Sequence, residues 1–320
     1  MHDTEISAAA LEALNMTLRP VLKDVTVVIP TLGRPTLLMC LREIAKGTVW
    51  PARIVVVDQG RNAAVVDWLH CLRQLGIKTT HVRSTRRSPA SARNVGILNA
   101  HTAFIAAIDD DCLANEDWLE KMDRCLGQYP TAIITGRVNP ADAEHVPSTV
   151  TSDAPVVYRR PGLRRCGNIA SGNMGFALHV AQRIGPFDED LLAAEDNDWA
   201  YRALRAGIPI VYAPEVIVCH QHWRDKAQLT ATYRTYAWSE GAFYGKHLRR
   251  GDWLMALRAA LYFARGVRLW MRGTVFADYG RRASGRARVT HLLPGLIAGL
   301  RGGARENTGI TDDEDEGDLD

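Results

Sequence analysis

Two unbroken β-branched runs constrain this chain more than any other feature. Val25-Thr-Val-Val-Ile29, closed by Pro30, and Ile54-Val-Val-Val57 lack the apolar–polar alternation of a strand with one wet face. Such strands are covered on both faces, as in parallel sheets. Between them, Leu37, Leu38, Leu41 and Ile44 sit at helical spacing within Thr36–Lys46. Val65–Leu75 and Ala90–Ala100 repeat the helical pattern, and Lys78–Val82 and Ala103–Ile108 the strand pattern. The alternation predicts an α/β fold, a mostly parallel sheet with helices on both faces. Ligands of such sheets bind beyond the carboxyl ends of the strands.

The rest of the chain is read around that sheet. With 320 residues, 47% hydrophobic and 23% charged, a wholly disordered or fibrous chain is excluded. Residues 1–24 read as an N-terminal arm and 25–228 as the α/β domain. Pro-rich, polar residues 139–165 read as a long loop that could close over the site. Glu195–Ala206 is a predicted helix, and Ile208–Tyr212 and Val216–Cys219 are predicted short strands. Residues 229–305 read as a basic amphipathic helical extension and 306–320 as a disordered acidic tail.

The net charge of +3 hides a strong asymmetry. Residues 249–305 carry twelve arginines against two acids, and residues 306–320 carry eight acids and no base. Arg258, Arg265, Arg268 and Arg272 fall on one helical stripe. Two readings stay open: docking on an anionic membrane surface, or packing of the apolar face on the α/β domain. No nucleic acid is expected. Six scattered cysteines without a C-x-x-C pair read as reduced core thiols. Met1–Asn15 lacks the basic start and apolar run of an export signal, and no run of about 18 apolar residues occurs. The expectation is a cytoplasmic protein, peripheral at the inner face of the membrane.

Chemistry is sought at the strand ends. The first ends in Pro30-Thr-Leu-Gly-Arg34, the second in Asp58-Gln-Gly60, and the strand after Ala103 in Asp109-Asp-Asp111. No G-x-G-x-x-G follows the first strand and no P-loop sequence occurs, which removes the main support for dinucleotide and P-loop readings. Three adjacent acids suit Mg²⁺ or Mn²⁺, though a solvated turn would also use them. Asp58 could meet a base or ribose, or only start a turn. Arg83, Arg86, Arg87 and Arg93, with Asn94, could hold a diphosphate, or form a solvated basic loop. Glu195, Asp196 and Asp198 could cap a helix or supply a general base. His220 and His222 could ligate a metal or pack as polar residues.

Taken together in order, these segments resemble family 2 glycosyltransferases. Val27-Val-Ile-Pro-Thr31 with Arg34, Val55-Val-Val-Asp58, Ala92-Arg-Asn-Val-Gly96 and Ile108-Asp-Asp-Asp111 resemble the first half of the family domain. Gly172-Asn-Met-Gly-Phe176, Gly185-Pro-Phe-Asp-Glu189, Glu195-Asp-Asn-Asp198 and Pro214–His220 resemble the second half. The resemblance implies a GT-A fold, Rossmann-like, and transfer of a sugar with inversion from a nucleotide-diphosphate sugar. Pro30, Thr31, Arg34, Asp58, Arg93, Asp109 and Asp110 would line the nucleotide-sugar site. Asp111 and His220 would hold Mn²⁺ or Mg²⁺, Asp196 would deprotonate the acceptor with Glu195 beside it, and Gly172, Asn173 and Trp223 would meet a glycan or lipid-linked acceptor. Thr-Leu-Gly-Arg after Pro30 and Gln59-Gly60 after Asp58 depart from the family's usual residues, leaving UDP and dTDP donors both open. A nucleotidyltransferase and a non-catalytic membrane-surface module are the alternatives; the first wants a Gly-rich basic loop after the first strand, and the second leaves the acids idle.

Overall fold

The computed structural model describes residues 18–141, 149–163, 169–221 and 225–302. The arm before residue 18, the acidic tail, Cys166, His222 and Trp223 lie outside them. The chain forms two compact units: Met1–Glu189 with Glu195–Asp225, and Asp190–Ala194 with Lys226–Asp320.

The first unit runs β1 (Val21–Thr31), α1 (Thr36–Lys46), β2 (Trp50–Asp58), α2 (Ala64–Gln74), β3 (Thr79–Arg83), α3 (Pro89–Leu98), β4 (Phe104–Ile108) and β5 (Cys112–Ala114). It continues with α4 (Trp118–Gln128), β6 (Ile133–Pro140), β7 (Val156–Tyr158), β8 (Asn173–Ala177), α5 (Leu178–Ile184), α6 (Glu195–Arg205) and β9 (Ile210–His220). The strands form one sheet in the order β3-β2-β1-β4-β8-β6-β9-β5, with β7 also on β9. Six strands run one way, and β5, β7 and β8 oppose them.

The unbroken runs do what their composition dictates. Val25, Val27 and Ile29 face a core built with α1, α2 and α4, while Val28, Val55 and Val57 face a second core with α3, α5 and α6. Each fully buried Val or Ile contributes roughly 1.5–3 kcal/mol. In α1, Leu37, Cys40, Leu41 and Ile44 are buried, following the 3.6-residue period, and Leu38 is only partly so. Ser88 caps α3, its side chain accepting from Ser91 N, with Pro89 in the first turn. Gly96 on α3 lets that helix lie on β1, because a Cβ there would come 2.2 Å from Val28 Cγ1.

The structure departs from the sequence reading in several places. β1 begins at Val21, inside the expected arm. The expected strands at 208–212 and 216–219 are one strand, β9; its pairing with β6 skips from Ala213 to Ile217, so Pro214 sits in a bulge where its missing N–H breaks no ladder. Residues 139–165 are not all loop: β6 reaches Pro140, Val150 bridges Val138, and Val156–Tyr158 forms β7. Residues 142–148 and 164–165 of that segment lie outside the described residues.

The second unit contains α7 (Lys226–Arg249), α8 (Leu254–Val275) and α9 (Tyr279–Arg301). Glycines set its packing. Gly241 and Gly245 of α7 meet the α9 backbone at Leu292 and Leu296, and Gly295 and Gly299 of α9 meet the α7 backbone at Trp238 and Ala242. A Cβ on Gly295 would fall 1.9 Å from the Trp238 carbonyl oxygen. Gly266 and Gly273 of α8 and Gly285 of α9 play the same part between those two helices. The arginine stripe is broken by this packing: Arg258 shares the buried face of α8 with Met255, Ala259 and Gly266, whereas Arg265, Arg268 and Arg272 are exposed. No described helix is long and apolar enough to cross a membrane.

Candidate active site

The sheet brings acids distant in sequence to the carboxyl ends of its parallel strands. Thr31, at the end of β1, donates from Oγ1 to Asp110 Oδ2 at 2.6 Å and accepts from the Gly33 amide at 2.9 Å. Arg34 Nη1 stands 3.8 Å from the other oxygen of Asp110. Burial pushes the Asp110 carboxyl up to about 6, with Thr31 opposing and Asp111 adding to the rise.

Strand register makes the next pair. β5 and β9 are antiparallel, with Cys112 opposite His220. Asp111 Oδ1 consequently lies 3.4 Å from His220 Nε2, and the Gln221 amide donates to the Asp111 carbonyl at 2.8 Å. The separation is long for a charge-assisted hydrogen bond, and His220 Nδ1 is buried with no hydrogen-bond partner. Asp111, Cys112 and His220 each offer a ligand atom within 4.8 Å of the others. The Cys112 thiol is fully buried and pushed well above its usual value by desolvation and then by Asp111. The Asp111 carboxylate oxygen and the His220 imidazole nitrogen are a donor pair that fits a divalent cation of the Mn²⁺ type.

A third cluster centres on Arg93, which is 4% exposed. From α3 it donates through Nη1 to Glu195 Oε1 at 2.7 Å and through Nη2 to Asp109 Oδ1 at 2.6 Å. Burial would lower the guanidinium's pKa, but Asp109 and Glu195 outweigh it and the net shift is upward. The Glu195 carboxyl is raised to about 7, by burial first and Asp196 second, with Arg93 opposing. Asp196 is half-buried and accepts the Asn197 amide at 2.7 Å. Asp198 is structural: fully buried, it holds Arg202 Nε at 2.8 Å, and Arg202 in turn ties down the Ile184 and Pro186 carbonyls. Ala194, just before Glu195, takes φ +106°, a strained value for a residue with a Cβ. Gly172 closes on Asp109: a Cβ there would come 2.6 Å from Asp109 Oδ2.

Several expected contacts fall differently. Asn173, placed at the acceptor by resemblance, is fully buried. Its Oδ1 accepts from Trp118 Nε1 at 2.9 Å, and its Nδ2 donates to the Arg137 and Val216 carbonyls, each at 2.9 Å. Its amide is thus used inside the protein, stitching β6, β8 and β9 to α4. The basic cluster of residues 83–93 is divided among separate acids. Arg83 Nη1 lies 3.3 Å from Asp58, and Arg86 Nη1 lies 2.7 Å from Glu189, which Asn94 also holds. Trp223 lies outside the described residues.

Asp58 ends β2 with no exposed surface; Oδ1 accepts the Gly60 amide at 2.8 Å and Oδ2 faces His81 Nε2 at 3.0 Å. His81 was missed by the sequence reading. The available signal was alternation: His81 and Arg83 are two apart on β3 and share the face beside Asp58. Gln59, the unusual residue after Asp58, donates its amide to the Arg86 and Ser88 carbonyls and so anchors the loop before α3.

Residues 26–182 match glycosyl transferase family 2. The chain carries a family 2 glycosyltransferase domain. It is 26% identical over 283 residues to the pre-mycofactocin glycosyltransferase of Mycobacterium tuberculosis, covering 82% of this chain and 55% of that protein. The chain therefore spans about half the length of this relative. Among solved structures, the Pyrobaculum calidifontis mannosyltransferase PcManGT, in complex with GDP-Man and Mn²⁺, superposes with a TM-score of 0.60 at 18% identity. That match covers 93% of this chain and 99% of the other. S. aureus TarS 1–349, in complex with UDP-GlcNAc, gives 0.52 at 12% identity, over 87% and 92% of the two chains. Both show that the family 2 domain here has the GT-A fold.

Proposed function

We propose that this chain transfers a sugar from a nucleotide-diphosphate sugar of the UDP or dTDP type to an acceptor hydroxyl, with inversion. The observation that carries the reading is the joining of three acid clusters to one end of the sheet: Asp110 on Thr31, Asp111 beside His220, and Asp109 with Glu195 on Arg93. Pro30, Thr31, Arg34 and Asp58 are assigned to the nucleotide. Asp111 and His220 would hold a divalent cation, which when bound offsets the negative charge that develops on the diphosphate as the sugar leaves. Asp196 is assigned the acceptor proton, being half-buried and next to Glu195. Glu195 and Arg93 are positioning residues: the bond between them fixes the first turn of α6, and with it Asp196. Single displacement requires no protein nucleophile.

The acceptor is assigned to the glycan or lipid-linked class, and residues 249–305 to the inner face of an anionic membrane. Support for the membrane comes from the exposed Trp253, Leu257, Met271, Val275 and Phe276 lying among exposed arginines.

The test is calorimetric titration of UDP, dTDP and GDP with and without Mn²⁺, on the wild type and Asp111→Asn. The reading expects metal-dependent binding of one nucleotide, weakened in the variant by at least the roughly 10–100-fold that follows loss of even an outer partner of a metal ligand. Binding of no nucleotide under any condition would sink it.

A further inference from the structure

The helical unit contains a cavity of its own, of about 480 Å³, within the range of small-molecule sites. All three helices line it. Arg234 and Thr230 come from α7, Trp270 from α8, and Tyr279, Arg282 and Arg286 from α9. No acidic residue is among its lining residues. Among the described residues, the guanidinium groups of Arg234, Arg282 and Arg286 make no ion pair. Three like charges around one cavity repel one another unless an anion joins them. Arg282 and Arg286 are four apart on α9, so both reach the same side of the helix. The Thr230 and Tyr279 hydroxyls, 2.6 Å apart, add donors that link α7 to α9.

Guanidinium forks and hydroxyls matched by no acid suit a phosphate, whose oxygens accept several bonds at once. The surroundings say what the phosphate is attached to. Trp270 on the cavity wall is itself partly exposed, and Met271, Val275 and Phe276 follow it to the end of α8, all exposed to solvent. A free phosphate or sugar phosphate has no use for this apolar tip, whereas an acyl or isoprenoid chain does.

We infer that the cavity lined by Arg234, Arg282 and Arg286 binds the phosphate headgroup of a membrane lipid, with the tip of α8 entering the apolar layer beside it. The inference rests on the membrane assignment of residues 249–305 and adds a specific site to it. It is independent of donor binding.

The experiment is co-sedimentation of the full chain with vesicles of phosphatidylcholine alone, or doped with phosphatidic acid or phosphatidylserine to matched surface potential. Three proteins are compared: wild type, Arg282→Gln/Arg286→Gln, and Arg265→Gln/Arg268→Gln as a charge-matched control elsewhere on the unit. All four positions are exposed on helices and glutamine keeps helix propensity, so equal melting temperatures are expected. The wild type should prefer phosphatidic acid over phosphatidylserine by about fivefold or more. The Arg282/Arg286 variant should lose that preference, and the control should keep it while binding both vesicles more weakly. Equal binding to both anionic vesicles, with the two variants alike, overturns the site and leaves only a charged surface. Binding to no vesicle overturns the site and the membrane assignment together, without touching the transferase reading. Calorimetric binding of inorganic phosphate, lost in the Arg282/Arg286 variant but with no vesicle preference, assigns the cavity to a free anion and overturns the lipid.

Discussion

Replacing Arg93 by methionine tests the electrostatics of the site directly. The change keeps much of the apolar stem but removes both Nη donors, leaving Glu195, 5% exposed, and the more exposed Asp109 without their partner. Breaking a buried pair by removing one member costs about 3–5 kcal/mol. For a unit of this size that lowers Tm by on the order of 10 °C. The loss must depend on pH. Glu195 titrates near 7 with Arg93 opposing the rise, so removing Arg93 drives it higher still. A carboxyl whose folded pKa lies above its unfolded value holds a proton the unfolded chain releases, so its stability is full at low pH and falls as pH rises through the folded pKa. The penalty of Arg93→Met should therefore be smaller at about pH 6, where Glu195 is largely neutral in both proteins, than at about pH 8.5. One proton limits the growth to about 1.4 kcal/mol per pH unit. Denaturant unfolding followed by fluorescence reads the change, with Trp50, Trp68, Trp118 and Trp199 of this unit contributing to the signal. A penalty below about 1 kcal/mol, or one flat across that pH range, would refute the reasoning.

Three other perturbations follow from the packing. Asn173→Ala, which removes three internal hydrogen bonds of a buried amide, should cost about 2–4 kcal/mol in unfolding experiments; an unchanged stability with a raised acceptor KM would instead restore Asn173 to the acceptor. Gly172→Ala should displace Asp109, lowering transferase activity by about tenfold or more while moving Tm by only a few degrees; full activity would show that Asp109 need not stay where it is. Gly295→Val puts side-chain atoms against the Trp238 carbonyl and should destabilise the helical unit by about 3 kcal/mol or more, visible as early loss of helical ellipticity; a neutral result would mean that α7 and α9 do not need their close approach.

What the sequence disclosed and what it hid have different physical origins. The strands β1, β2 and β4 and their helices were legible because a strand buried on both faces must be apolar throughout, and its helix must show the 3.6 period. β5, β6 and β8 were not, since they are short or carry glycine. Gly136 and Gly175 lower strand propensity, yet each is required there, because a Cβ at 175 would strike Met122 Sδ at 2.4 Å and one at 136 the Val216 carbonyl at 2.1 Å. The acids could be found by their positions at strand ends and by resemblance, but their partners could not. Nothing in the sequence says that Arg93 bridges Asp109 and Glu195, because that bond spans 102 residues and depends on how α3 and α6 share one face of the sheet. Asn173 shows what resemblance alone leaves out. Resemblance places it at the acceptor, and only the packing of β8 between β4 and β6 reveals that its amide is enclosed.

The antiparallel register that sets Cys112 opposite His220 also has a consequence for how the protein is made. Asp111 leaves the ribosome more than a hundred residues before His220, and β4 can pair with β1 long before β9 exists. A nascent chain halted anywhere short of residue 220 can own most of the strand ends proposed to face the nucleotide and still lack His220, one of the two proposed cation ligands. A slip of one residue in the last pairing would turn His220 to the opposite face of the sheet. Under the proposed cation assignment, the site is completed only when the final strand arrives in register.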